Sequence, residues 1–227
     1  MLQLTGIGAC VFDAYGTLFD VGSVARRAKD ELGEIWEPLS NSWRSKQLQY
    51  TWLRGLAGHH ADFWQVTGDA LDYAMSSVGL ADERLRERLM NLYLDLSIYP
   101  EVRGTLDGLK AIGMKLAILS NGTPNMLASA VANSGIAELF DAVLSVEEVG
   151  VYKPHPSVYQ LASQRLGLRR EEICFVSSNG WDAWSAKAFG FKVVWCNRLD
   201  LPVERIPSQP DCEVPDLASL PLRLGKT

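Results

Sequence analysis

A chain of 227 residues, 47% apolar and with a net charge of −5, can bury a large core as one α/β domain or as a core with an insertion. The acidic balance and the absence of a long basic tract speak against a nucleic-acid partner. No apolar run is long enough to cross a bilayer, and the N-terminus lacks the basic region and apolar core of a signal peptide. The expectation is a cytoplasmic protein with no membrane partner.

In chain order, the first strong element is the run Ile7 to Leu18, IGACVFDAYGTL. Ala9, Cys10, Val11 and Phe12 suit a buried parallel strand, and Gly16 suits a sharp exit from it. Ligands of an open α/β sheet bind beyond the carboxyl ends of its strands, so Asp13 leaves the strand where chemistry is done. A turn or capping Asp is the competing reading. From about Ser23 to Tyr99, Leu, Trp, Met and Tyr recur at helical spacings with few Val or Ile clusters, which predicts a block of helices without strands. Ser40 is the expected cap of one helix, ahead of Trp43, Leu48, Trp52 and Leu56, with Gly55 and Gly58 at its end. A second helix is expected over 61–78 and a third over 82–94, the latter capped by Asp82.

After Pro100 the pattern alternates. Leu106 to Ile112 is amphipathic, Leu116 to Ser120 reads as a strand, and Asn121 and Gly122 turn the chain into a helix with Pro124 at its first position. Further strands are expected over 142–145, 173–176 and 192–195. Helices are expected from Ser157 to Leu166 and from near Asp182, and the rest reads as a closing loop and tail. This order implies a Rossmann-like, doubly wound parallel sheet. Residues 1–18 and 100–227 would form that core, with 19–99 inserted as a helical cap over the carboxyl edge of the sheet. Cys10, Cys174, Cys196 and Cys212 show no metal-ligand spacing and read as reduced thiols.

Polar residues then gather at strand ends: Asp13 and Thr17, Ser120 and Asn121, Lys153, and Ser177 to Asp182. Each alone fits turn or cap chemistry, and Lys is ordinarily a solvated cation. Together, these motifs resemble the haloacid dehalogenase superfamily. More closely, DAYGTL, WRSKQLQYTWLR, LAILSNGTP, YKPHPSVY and FVSSNGWDA are similar to the L-2-haloacid dehalogenases, over nearly the whole chain.

The resemblance implies a specific chemistry. Phosphatases of the superfamily place a second Asp two residues after the nucleophile and a pair of acidic magnesium ligands in the last motif. Here Tyr15 stands at the first place and Ser178 at one of the others, with Asp182 kept. Halide leaves carbon without a proton, so a missing acid does not hinder dehalogenation. No metal and no cofactor are expected. Asp13 would attack the carbon bearing the halogen, invert it and form an aspartyl ester; water would then attack the ester carboxyl and release a D-2-hydroxy acid.

By resemblance, Arg44 and Asn121 receive the halide. Ser120 and the amides after Asp13, at Ala14 and Tyr15, hold the substrate carboxylate. Lys153 keeps Asp13 ionised, and Thr17, Tyr159 and Ser177 fix these side chains. Asp182, aided by Asn179, orients or activates the water, while Tyr15 and Trp181 wall the apolar side. For Arg44 the competing reading is a solvated helix residue, and for Tyr159 it is core packing. Adjacent His59 and His60 point to different helix faces and read as cap-surface residues. The aromatic cap reads as helix packing or a dimer seam, and the resemblance implies a homodimer. A magnesium-dependent phosphatase and a non-catalytic binding member are the alternatives.

Overall fold

The computed structural model describes residues 3–224, with the side chains of 25, 28, 30 and 31 left aside, so residues 1–2 and 225–227 of the expected core lie outside it. Six parallel strands form one sheet: β1 (Ala9–Phe12), β2 (Lys115–Ser120), β3 (Ala142–Ser145), β4 (Ile173–Ser177), β5 (Lys192–Cys196) and β6 (Cys212–Val214). Their order is β3-β2-β1-β4-β5-β6. β1 lies at the place where the order reverses, the point at which open α/β sheets bind ligands. All four of its residues are buried, as the unbroken apolar run requires of a strand covered on both faces.

Register then positions the polar residues. Phe12 is level with Ile118 of β2 and Val176 of β4, and the Asp13 amide donates to Val176 O at 2.9 Å. Asp13 therefore leaves the sheet beside Ser120 and Ser177, the last residues of the two flanking strands. The sheet is covered by α5 (Val102–Ala111), α6 (Pro124–Asn133), α7 (Pro156–Leu166), α8 (Gly180–Phe189) and α9 (Leu220–Leu224), these last numbered after the inserted helices.

Between β1 and α5 lie α1 (Gly22–Leu32), α2 (Trp36–Ala57), α3 (Phe63–Ser77) and α4 (Glu83–Tyr93), a helical insertion consistent with a cap. Asp62 caps α3 through the Gln65 amide, and Asp82 caps α4 through the amides of Arg84 and Leu85. Gln47 of α2 donates to Thr67 of α3 and to Tyr93 of α4, which joins three helices through one buried amide. The segments leading into and out of the insertion are bonded to each other: Asp20 N donates to Ser97 O at 2.8 Å and Tyr99 N to Leu18 O at 3.1 Å.

Three expectations need correction. Ser40 caps nothing, because α2 starts at Trp36 and carries Ser40 inside its first turns; the helix does end at Gly58, whose φ of 69° gives the left-handed C-cap. His59 and His60 lie beyond that cap, not on a helix, and His60 Nε2 meets Glu147 Oε2 of the core at 2.9 Å. The tail holds both β6, paired with β5, and α9, whose Leu220 and Leu224 are buried. Three- and five-residue elements carry too little periodicity to be read from sequence. Cys10, Cys174 and Cys196 are buried free thiols, and Cys212 is free and partly exposed. No described helix is long and apolar enough to cross a membrane.

Candidate active site

Asp13 is 6% exposed, and the partners of its carboxylate come from three segments: the turn after β1, the loop before α7 and the end of β4. Its Oδ1 accepts from Lys153 Nζ at 3.0 Å. Its Oδ2 accepts from Asn179 Nδ2 at 2.8 Å, Thr17 Oγ1 at 3.2 Å and Ser177 Oγ at 3.4 Å. Thr17 is placed by the turn after β1, and its hydroxyl also accepts from the Ser178 amide at 2.8 Å, so the turns after β1 and β4 lock together. Ser177 ends β4 and accepts from the Asn179 amide at 3.1 Å, which sets the first turn of α8.

Lys153 is buried in the loop before α7, where its own amide donates to Asn121 Oδ1 at 3.1 Å. Its Nζ bridges Asp13 and Asp182, the latter at 2.8 Å on Oδ2. Burial alone would push the ammonium down, but the two carboxylates outweigh it and hold its pKa above the ordinary lysine value. Asp182 is fully buried, and Tyr159 donates to its Oδ1 at 2.7 Å. Burial raises the Asp182 carboxyl to about 6, with Asp13 pushing the same way and Lys153 opposing. Burial also lifts the Tyr159 and Tyr15 phenols far above their ordinary value, so both stay neutral.

Arg44 reaches this group from α2. Its Nη2 donates to Asn179 Oδ1 at 3.2 Å and its Nη1 to Gln47 Oε1 at 2.8 Å. Both partners are neutral, and among the described residues no carboxylate neutralises this guanidinium. Asn179 thus stands between the arginine of the insertion and the carboxylate of the core, and its Nδ2 also donates to Tyr15 O at 3.2 Å.

An inner cavity of about 10 Å³ lies here, room for about one water-sized group. Asp13, Lys153, Arg44, Ser120, Asn121 and Asn179 form its polar wall. Tyr15, Leu48, Phe63 and Trp181 form the apolar one. Tyr15 packs on Phe63 and Tyr93 with ring centroids 5.8 and 5.5 Å away. Gly122 must be glycine for this packing, since a Cβ there would lie 2.8 Å from the Tyr15 ring. An outer cavity of about 520 Å³ shares Arg44, Leu48, Asn179 and Trp181 with the inner one and opens toward Tyr99 and Arg198.

The structure brings together all the residues singled out from the sequence. Ser120 Oγ accepts from the Gly122 amide at 3.1 Å, and Asn121, its oxygen engaged by Lys153, keeps its amide nitrogen for the pocket. Ala14 is buried and contributes main chain only: the Gly16 amide is spent on Phe19 O, whereas those of Ala14 and Tyr15 meet no carbonyl among the described bonds. Tyr159 is both a member of the site and part of the core, its ring edge-on to Phe175 at 5.8 Å. Gln47, Leu48 and Phe63 were not singled out as site residues. Gln47 and Leu48 stand three and four residues after Arg44 on one helix face, a spacing that could have found them.

The positions a divalent cation would take are filled by the protein's own donors. Lys153 Nζ lies between Asp13 and Asp182, and the Asn179 amide bridges Asp13 Oδ2 and Tyr15 O. Ser178 offers one hydroxyl, and no cluster of three or more His, Cys, Asp or Glu suited to a metal occurs among the described residues. This donor set does not fit magnesium, which needs an octahedron of hard oxygens.

The family model described as haloacid dehalogenase-like hydrolase matches residues 7–190. The chain is 47% identical over 216 residues to (S)-2-haloacid dehalogenase 1 of Pseudomonas sp. (strain CBS-3), covering 95% of each. It is 48% identical over 203 residues to (S)-2-haloacid dehalogenase 4A of Burkholderia cepacia, covering 89% of this chain and 88% of the relative. The crystal structure of L-2-haloacid dehalogenase from Xanthobacter autotrophicus with chloropropionic acid covalently bound superposes with a TM-score of 0.89 at 41% identity, covering 95% and 97% of the two chains. On the shared fold and this similarity along nearly its whole length, the chain belongs to the L-2-haloacid dehalogenase family of the haloacid dehalogenase-like hydrolases.

Proposed function

We propose that this protein hydrolyses short (S)-2-haloacids to D-2-hydroxy acids through an ester on Asp13. One observation carries the reading: a buried carboxylate ion-paired to Lys153 shares a pocket with Arg44, a guanidinium that forms no ion pair with a carboxylate among the described residues. Oδ2 of Asp13 already accepts three hydrogen bonds and Oδ1 only one, so Oδ1 is the nucleophile. It bonds to C2 as the carbon–halogen bond breaks, and halide departs with the electron pair toward Arg44 and the Asn121 amide. Ser120 and the amides of Ala14 and Tyr15 hold the substrate carboxylate. The inner cavity is too small for a haloacid, so Arg44 or the cap has to shift on entry.

In the second half, water attacks the Asp13 carboxyl carbon. Asp182 takes its proton and passes it to the departing 2-hydroxy oxygen, and Asn179 and Lys153 stabilise the charge on the ester. The covalent chloropropionic acid in the Xanthobacter relative supports an ester route. Tyr15 and the filled cation positions support a reaction without metal and disfavour the phosphatase reading; the intact set of charged groups disfavours a non-catalytic one. Residues 19–99 act in this reading as the cap, with 1–18 and 100–227 as the core. Exposed Leu53, Leu56 and Tyr73 on α2 and α3 support a homodimer seam, and light scattering showing a monomer would remove it. A cytoplasmic location agrees with the reduced cysteines.

Halide release from racemic 2-chloropropionate tests the function. The expected result is consumption of the S enantiomer at a rate unchanged by EDTA; chelator-sensitive phosphate-ester hydrolysis without halide release would overturn it. The proton-accepting role of Asp182 sets the pH dependence. Its carboxyl must be ionised to act, so turnover is expected to rise through about pH 6 and to hold until Lys153 deprotonates above the ordinary lysine range. In Asp182→Asn the rise at acid pH should vanish and turnover fall roughly 10²–10⁴-fold, with a first-turnover burst of halide and ester accumulating on Asp13. Unchanged steady-state turnover would assign the base elsewhere.

A further inference from the structure

Arg198 lies two residues past the end of β5 and belongs to none of the roles above. Its side chain is only 11% exposed. Nη2 donates to the Thr17 carbonyl oxygen at 2.8 Å and forms an ion pair with Glu101 Oε1 at 2.6 Å. The guanidinium carbon lies 3.7 Å from the centroid of the Tyr99 ring, a stacked cation–π contact. The loop that carries it is held at its base, where the Asn197 side chain bonds both the amide and the carbonyl of Leu201, at 2.8 and 2.9 Å.

The three partners of Arg198 have one thing in common. Thr17 lies on the segment leaving β1 for the helical insertion, and Tyr99 and Glu101 lie on the segment returning from it. Thr17 is also the residue whose hydroxyl donates to Asp13 Oδ2 and accepts from the Ser178 amide. A shift of the Thr17 main chain therefore reaches the nucleophile through one short side chain.

We propose that Arg198 is a positioning residue for Asp13: by holding the Thr17 carbonyl and both connecting segments in one guanidinium, it fixes the orientation of the nucleophile. Its described partners are Thr17, Glu101 and Tyr99, and Asp13 is not among them. Arginine suits the task because a planar group can stack on a ring, donate to a carbonyl and pair with a carboxylate at once, whereas a lysine ammonium cannot keep all three contacts. The inference rests on the proposed dehalogenation only for its kinetic readout.

The test uses Arg198→Met, Arg198→Lys, and Arg198→Met combined with Glu101→Gln. Removing the arginine alone leaves the largely buried Glu101 carboxylate without its ion-pair partner and lowers Tm; neutralising Glu101 in the double variant relieves that loss. Halide release by the double variant is expected to stay at least about tenfold below the unsubstituted enzyme in kcat, with KM within roughly threefold. Arg198→Lys should fall between the two. In a crystal structure of the double variant, Thr17 Oγ1 should have lost its hydrogen bond to Asp13. A purely structural role predicts that kcat returns with Tm; that return, or an intact Thr17–Asp13 bond in the variant, overturns the proposal. Should the unsubstituted protein release no halide, the functional reading falls by itself, and the Thr17–Asp13 geometry of the variant decides for or against the clamp.

Discussion

The ammonium of Lys153, buried between Asp13 and Asp182, is the interaction on which the rest of the site depends. Two carboxylates so close in a dry interior would repel, and one would take up a proton to escape the cost. A cation between them offsets that repulsion; in the proposed reaction one carboxylate attacks carbon and the other accepts a proton from water. Burial nonetheless leaves its mark on Asp182, lifted to about 6, which is an apt value for a group that must gain and lose a proton near neutrality. Removing one member of such a group leaves an unpaired buried charge, at a cost of about 3–5 kcal/mol. The site is thus part of what holds the sheet edge together.

Charge balance extends to the cap. Asp13, Asp182 and Lys153 sum to one negative charge, and Arg44 offsets it from across the pocket through the neutral amide of Asn179. Arg44 is itself held by Gln47, which ties α2 to Thr67 and Tyr93. In the proposed reaction the helical insertion therefore supplies the anion-seeking group and the sheet supplies the nucleophile. An anionic substrate entering between them would then meet a cation that has no carboxylate ion-pair partner among the described residues. Tyr15, Phe63 and Trp181 give the pocket an apolar wall, and a low-dielectric wall strengthens the electrostatic contacts beside it.

The sheet was legible because buried parallel strands read as unbroken apolar runs, and Asp13, Ser120 and Ser177 stand where those runs end. The identity of the chemistry was legible from Tyr15 and Ser178, two positions where acidic residues are missing. What the sequence concealed was distance in three dimensions. No local pattern says that Arg198, 181 residues from Thr17, closes on its carbonyl. The start of α2 was misplaced because Ser40 looks like a cap, whereas the helix is set by its packing on α3 and starts at Trp36 with no side-chain cap. β6 was hidden by its length: Cys212–Val214 gains its place by pairing with β5, and nothing in three residues announces that.

In the proposed reaction Asp13 bonds to substrate carbon and water attacks its own carboxyl group. A single turnover in heavy-oxygen water, with enzyme in excess over (S)-2-chloropropionate and mass spectrometry of both the product and the Asp13 peptide, tests this most directly. The expected result is label in the Asp13 carboxylate and a first 2-hydroxypropionate that carries unlabelled oxygen from the protein. Label found in that first product, with none in Asp13, would show water attacking the substrate carbon and would rule out the ester on Asp13.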